Sequence, residues 1–115
     1  MDQADKICTP CQGGIPPMSA AEVARRHTGI PQWEVLSEGT WLRRSYSFKN
    51  FRQSLEFVGA IGGESERQGH HPDICFGWGY VTVSLQTHKI GGLHENDFIM
   101  AARFDRIATS SAMTS

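Results

Sequence analysis

The stretch Pro72-Asp73-Ile74-Cys75-Phe76-Gly77-Trp78-Gly79-Tyr80-Val81-Thr82-Val83-Ser84-Leu85-Gln86 decides the fold. Ile74 to Trp78 and Tyr80 to Gln86 read as two strands that meet around Gly77-Trp78-Gly79. Val81, Val83 and Leu85 share one face of the second strand, the period-2 pattern of a half-buried sheet. Upstream, a helix begins near Asn50, with Phe51, Leu55, Val58 and Ile61 recurring at helical spacing as an apolar stripe. Gly62-Gly63 weakens that helix, because each glycine costs about 1 kcal/mol relative to alanine in a helix interior. Propensity alone does not choose between an end there and a continuation to Gln68.

Further out lies another hairpin signal. Trp33 to Leu36 and Trp41 to Phe48 are strand-like, separated by Ser37-Glu38-Gly39-Thr40. In the longer strand Leu42, Arg44, Tyr46 and Phe48 fall on one face, and Trp41, Arg43, Ser45 and Ser47 on the other. Before it, Ser19 with Glu22 three residues later forms a capping box. The helix it opens runs through Val23 and Arg26 and stops near Gly29, with Pro31 beyond. On the other side, Gly91-Gly92 marks a loop. A last helix runs from about Glu95 to Ala108, with Met100, Ala101, Phe104, Ile107 and Ala108 on one stripe. The order is helix, strand, strand, helix, strand, strand, helix. It predicts an α+β layer, a four-stranded antiparallel sheet with three helices packed on one face. The other face and the edges are left available for self-association.

Residues 1–17 read as an irregular arm, because Cys8-Thr9-Pro10-Cys11-Gln12-Gly13-Gly14-Ile15-Pro16-Pro17 is dense in breakers. Residues 18–108 form one domain, and 109–115 a small, polar, flexible tail. At 115 residues there is room for one modest core. The formal net charge of -1 provides no global field to attract nucleic acid or an anionic membrane. No apolar run approaches the roughly 20 residues that cross a bilayer. Met1 to Lys6 is polar and acidic, unlike a secretory leader, so a cytoplasmic protein is expected. The odd set of cysteines, Cys8, Cys11 and Cys75, argues against a disulfide framework.

The chemistry concentrates in three of the five histidines. His70, His71 and His88 fall close together, and imidazole exchanges protons near neutral pH without large tuning. Pro72 pushes His71 into an extended conformation, where adjacent side chains point to opposite sides. His70 and His71 therefore have different tasks and do not share one metal ion. His88 follows a strand at the start of a loop. Asp97 sits in the first turn of the last helix, where the macrodipole favours a carboxylate. Glu66 lies four residues before His70. Either carboxylate can orient an imidazole or hold a polar edge of a substrate.

Read together, Glu66, His70-His71-Pro72, Trp78, His88 and Asp97 at their spacings resemble the signature of the pterin-4a-carbinolamine dehydratase family. Leu85-Gln86-Thr87-His88, Gly92-Leu93 and Asn96-Asp97-Phe98 extend the resemblance. So do Trp33 and the run from Arg44-Ser45-Tyr46-Ser47-Phe48 into Asn50-Phe51. The likeness covers residues 17–108. It implies the same α+β layer, a second helix continuing past Gly62-Gly63, and subunits paired into a homodimer or homotetramer. It also implies removal of water from 4a-hydroxytetrahydropterin to give quinonoid dihydropterin, which recycles the cofactor of aromatic amino-acid hydroxylases. His70 and His88 carry over as the acid–base pair and His71 as an assisting imidazole. Glu66, Pro72, Trp33 and Asp97 carry over to the substrate site. No metal and no organic cofactor is implied. Many relatives place an acidic residue before the histidine pair, where this chain has Gly69; reduced or altered pterin affinity is the expected consequence.

Other features have plainer readings. Cys8-x-x-Cys11 lacks the four ligands of a structural zinc site. His27 and His94 read as helix-terminal residues, and Arg25-Arg26 and Arg43-Arg44 as solvated faces. Two rival functions remain. One is a non-catalytic binding partner, since an animal relative partners a homeodomain transcription factor and bacterial relatives assist Rubisco assembly. The other is metal-dependent hydrolysis through His70, His88 and a carboxylate.

Overall fold

The first two α-helices begin where the sequence supplies a cap. The computed structural model describes residues 3–6, 8 and 16–110. Ser19 accepts the backbone N–H of Glu22 at 3.2 Å and opens α1 (Ala20–His27). Glu22 does not complete the capping box; its carboxylate turns to Arg25 and Arg26 instead. Asn50 accepts the N–H of Gln53 at 2.9 Å and opens α2 (Phe51–Gln68). That helix runs straight through Gly62-Gly63. Ile61 and Ser65 on either side are buried, and Glu64 is tied to Arg67 and Arg103. Tertiary contacts thus outweigh the glycine penalty. α3 (Glu95–Ser110) ends two residues later than the apolar stripe suggests, and Thr109 returns a hydrogen bond to the carbonyl of Asp105 at 2.5 Å.

Between the helices lie β1 (Glu34–Leu36), β2 (Trp41–Ser47), β3 (Asp73–Gly77) and β4 (Tyr80–Leu85). They form one antiparallel sheet in the order β1-β2-β4-β3. Its centre is the β2–β4 pair, with Leu42 opposite Leu85 and Tyr46 opposite Val81. Three helices pack on one face, so the α+β layer is as expected. Leu42, Tyr46, Val81, Val83 and Leu85 from the sheet meet Phe57 and Ile61 from α2, and Phe98, Ala101 and Phe104 from α3. Burying one such phenylalanine contributes about 1.5–3 kcal/mol.

Several boundaries and faces differ from the sequence reading. Trp33 precedes β1: its N–H closes a turn onto Ile30, and its ring is buried. The buried face of α2 carries Phe57 and Ile61, whereas Phe51 and Leu55 stay about half exposed. Hydrophobic spacing locates a helix better than it locates the inward face. Trp78 stands at the tip of the β3–β4 hairpin with 71% of its surface exposed, so it is not a packing residue within one chain. Arg44 and Arg26 are ion-paired to Asp105 and Glu95 and are not free solvated charges.

The N-terminal arm contains a 3-10 turn, Gln3–Asp5, with Ala4 buried. Cys11, and with it the pairing of Cys8-x-x-Cys11, lies outside the described residues, as do 111–115 of the tail. Among the described residues no helix is long and apolar enough to cross a membrane.

Candidate active site

The end of α2 builds one side of the site. Gly69 closes the helix in the left-handed region, with φ 67°, and its N–H returns to the carbonyl of Ser65. A side chain is disfavoured in this conformation. The chain then leaves through His70-His71-Pro72, outside any helix or strand, and enters β3. The opposite side comes from the exit of β4, where Thr87 and His88 lead into a short 3-10 turn, His88–Ile90.

The three histidines line one cavity of about 550 Å³, together with Gln68, Gln86 and Lys89. They are held differently. His70 is nearly buried, and its Nε2 lies 2.6 Å from Oδ1 of Asp97. His71 is exposed, and its Nε2 meets the exposed carboxylate of Glu66. His88 is exposed and stands edge-on to Trp41, with ring centroids 5.6 Å apart. The two neighbouring imidazoles thus engage separate carboxylates. Among the described residues no three His, Cys, Asp or Glu side chains are grouped to hold a metal ion.

Asp97 is fully buried beneath His70. Its Oδ2 accepts the hydroxyl of Thr87 at 2.7 Å and the backbone N–H of His94 at 3.0 Å. Three donors thus converge on this one carboxylate. With Asp97 as the acceptor, His70 donates through Nε2, and Nδ1 is the ring's other nitrogen for proton exchange. His94 itself accepts the N–H of Asn96 at Nδ1, which makes it a helix-terminal residue as its position suggests. His27 meets the carbonyl of Trp33 at 2.6 Å, away from the cavity.

Trp33 is not brought to the histidines within one chain. It packs against Tyr46, and its Nε1 donates to Asp105 at 3.0 Å. The sequence reading gave no role to Thr87, Gln68, Gln86 or Cys8. Thr87 had a usable signal, since it sits beside His88 and opposite Gly92. Cys8, which also lines the cavity, had none.

A family model described as pterin 4 alpha carbinolamine dehydratase matches residues 16–107. A protein of Methylococcus capsulatus, provisionally named a pterin-4-alpha-carbinolamine dehydratase, is 52% identical over 92% of this chain and 93% of its own length. A protein of Rubrobacter xylanophilus with the same provisional name is 51% identical over 90% of this chain and 96% of its own. A transcriptional coactivator/pterin dehydratase from Brucella melitensis superposes with a TM-score of 0.76. It is 26% identical, and the match covers 80% of this chain and 98% of that one. A pterin dehydratase-like protein described as a RuBisCO assembly factor of the alpha-carboxysome gives a TM-score of 0.60. That match is 31% identical over 70% of this chain and 93% of the other.

Proposed function

This chain belongs to the pterin 4 alpha carbinolamine dehydratase family, and we propose that it removes water from a 4a-hydroxytetrahydropterin by histidine acid–base catalysis. The observation that carries this reading is the convergence of His70, His71 and His88 on one cavity, with His70 fixed from below by buried Asp97. Dehydration breaks the C4a–O bond and releases water. A proton leaves the adjacent ring nitrogen, and a double bond forms between the two atoms. One group must protonate the departing hydroxyl and another must accept the ring proton.

His70 suits the accepting role. The Asp97 carboxylate favours the imidazolium that forms once Nδ1 is protonated. His88, across the cavity on a different element, is the proton donor to the hydroxyl. His71, paired with Glu66, lines the exposed side of the cavity and contacts substrate, and Pro72 favours an extended backbone there. The product is a quinonoid dihydropterin, and in this reading the enzyme works in the cytoplasm beside a pterin-dependent hydroxylase. The chemistry asks for no metal and no organic cofactor.

The test is to add the purified chain to a hydroxylase reaction that generates the carbinolamine and to follow its decay. Wild type accelerates the decay, and His88→Ala loses about 10²-fold or more of that rate, the usual contribution of a positioned acid. Equal decay with wild type and His88→Ala would remove His88 from the mechanism.

A protein-contact role has an observation of its own. Phe51, Leu55, Trp78 and Tyr80 are large apolar side chains left 44–71% exposed, and Phe51 stacks on Phe76 at 5.6 Å. Such surface marks contacts with protein. A homodimer or homotetramer covers it in the enzyme reading, and a different protein covers it in a binding-partner reading. Sedimentation of the pure chain separates the two: a dimer or tetramer supports the first, and a monomer the second.

A further inference from the structure

The cavity has one wall that comes from outside the family match, which begins at residue 16. Cys8 lines the cavity alongside the histidines. Its backbone N–H donates to Oε1 of Gln68 at 3.0 Å, at the last turn of α2. Its thiol faces the carbonyl of Asn96 at 3.9 Å, at the first turn of α3. The residue therefore bridges the two helix ends that carry His70 and Asp97.

The arm behind Cys8 is fastened down. Arg103 donates from Nε and Nη2 to the carbonyl of Lys6, at 3.0 and 2.5 Å, and from Nη1 to Glu64 at 2.7 Å. Glu64 also accepts Nε2 of Gln68 at 3.1 Å, so the arm's anchor and its contact at the cavity share one carboxylate. Lys6 pairs with Glu95 at 3.0 Å and Asp5 with Arg106 at 2.8 Å. Each exposed pair contributes about 0–1 kcal/mol, but the partly buried Arg103–Glu64 link and the backbone bonds make a connected network.

We propose that Cys8, with residues 3–6 anchored behind it, is a fixed wall of the substrate cavity and determines how tightly a pterin is held. The inference rests on the dehydratase reading for the identity of the ligand. The wall is uncharged. Burial pushes the Cys8 thiol up to about 11, against the weaker opposite pull of Arg103, so near neutral pH it stands as a thiol. A small, polarizable, neutral surface suits the face of a flat heterocycle whose polar edges are left to the imidazoles and amides. It is not arranged as a nucleophile, which requires the thiolate.

The test uses the full chain with Cys11→Ser and Cys75→Ser, so that Cys8 is the one thiol. Alkylation of Cys8 by a maleimide is followed with and without an oxidised pterin that lacks the 4a-hydroxyl. The pterin slows alkylation about tenfold when it is near saturation, because it covers the wall. Arg103→Met frees the arm, so alkylation without ligand speeds up and KM rises while kcat moves little. Cys8→Trp fills the cavity and raises KM about tenfold or more. The inference is overturned if the pterin does not protect Cys8, or if Cys8→Trp keeps the KM of wild type. A wild type that binds pterin and protects Cys8, yet does not hasten carbinolamine decay, contradicts the dehydratase reading and leaves the wall standing.

Discussion

Two carboxylates on α3, eight residues apart, are built alike and do different things. Asp97 collects Nε2 of His70 at 2.6 Å, the hydroxyl of Thr87 at 2.7 Å and the N–H of His94 at 3.0 Å. Asp105 collects Nη1 of Arg44 at 2.7 Å, the hydroxyl of Tyr46 at 2.5 Å and Nε1 of Trp33 at 3.0 Å. Each gathers three donors onto one carboxylate of the last helix. Both also have a cavity nearby, of about 550 Å³ at the histidines and about 580 Å³ beside Arg44 and Asp105.

The difference lies in the donors. None around Asp105 changes protonation near neutral pH. A guanidinium and an indole do not titrate there. Burial, with the neighbouring Asp105 charge, raises the Tyr46 phenol well above its ordinary value. Around Asp97 one donor is an imidazole on the cavity wall, and imidazole is a side chain suited to proton exchange. A carboxylate with three donors is thus a structural device in itself. In the proposed mechanism it serves catalysis when one donor can pass a proton on.

Removing the charge at each carboxylate tests that contrast. Asp97→Asn is expected to give the largest effect, a fall of about 10²-fold or more in kcat, because the amide no longer favours His70 as imidazolium. Circular dichroism of the variant should remain that of a folded protein. Asp105→Asn should do the reverse. It destabilises by about 1–3 kcal/mol, since the partly buried Arg44 loses its paired charge. The kcat of the surviving folded fraction should match wild type. Denaturant unfolding and steady-state kinetics on the two variants check both statements. If Asp105→Asn abolishes turnover at unchanged stability, the two hubs are not distinguished by their donors.

The smallest expected effect is at Gly69. Its φ of 67° places it in the left-handed region, with nothing within 4 Å of an added Cβ. Gly69→Asp therefore costs about 1 kcal/mol of stability from backbone strain alone. If an acid at this position helps hold the pterin, KM falls in the same variant. Thermal unfolding and KM together separate the two contributions.

The strand alternation around Val81, Val83 and Leu85, the cap at Ser19 and the apolar helical stripe starting near Asn50 made the α+β layer legible in the sequence. The histidine set was legible too, because Pro72 fixes the local backbone and the spacings resemble a family signature. Other features were not, for physical reasons. The Asp105 hub draws on Trp33, Arg44 and Tyr46, whose convergence depends on how a helix crosses a sheet; by sequence Arg44 read as solvated and Trp33 as a pocket wall. Phe51 and Leu55 fit the helical stripe of α2, but the core takes Ile61 and Val58 of that stripe and adds Phe57. The arm that carries Cys8 has the composition of a loop, and its seat is set by distant charges, Glu64, Arg103 and Glu95.

The most direct test of the central claim is the decay of an enzymatically generated 4a-carbinolamine with wild type and with His70→Ala at equal concentration near pH 7. Wild type should accelerate the decay over the spontaneous rate, and His70→Ala should lose about 10²- to 10⁴-fold of that acceleration while keeping its fold. If His70→Ala accelerates the decay as well as wild type does, the His70–Asp97 pair is not the proton-accepting group of this site.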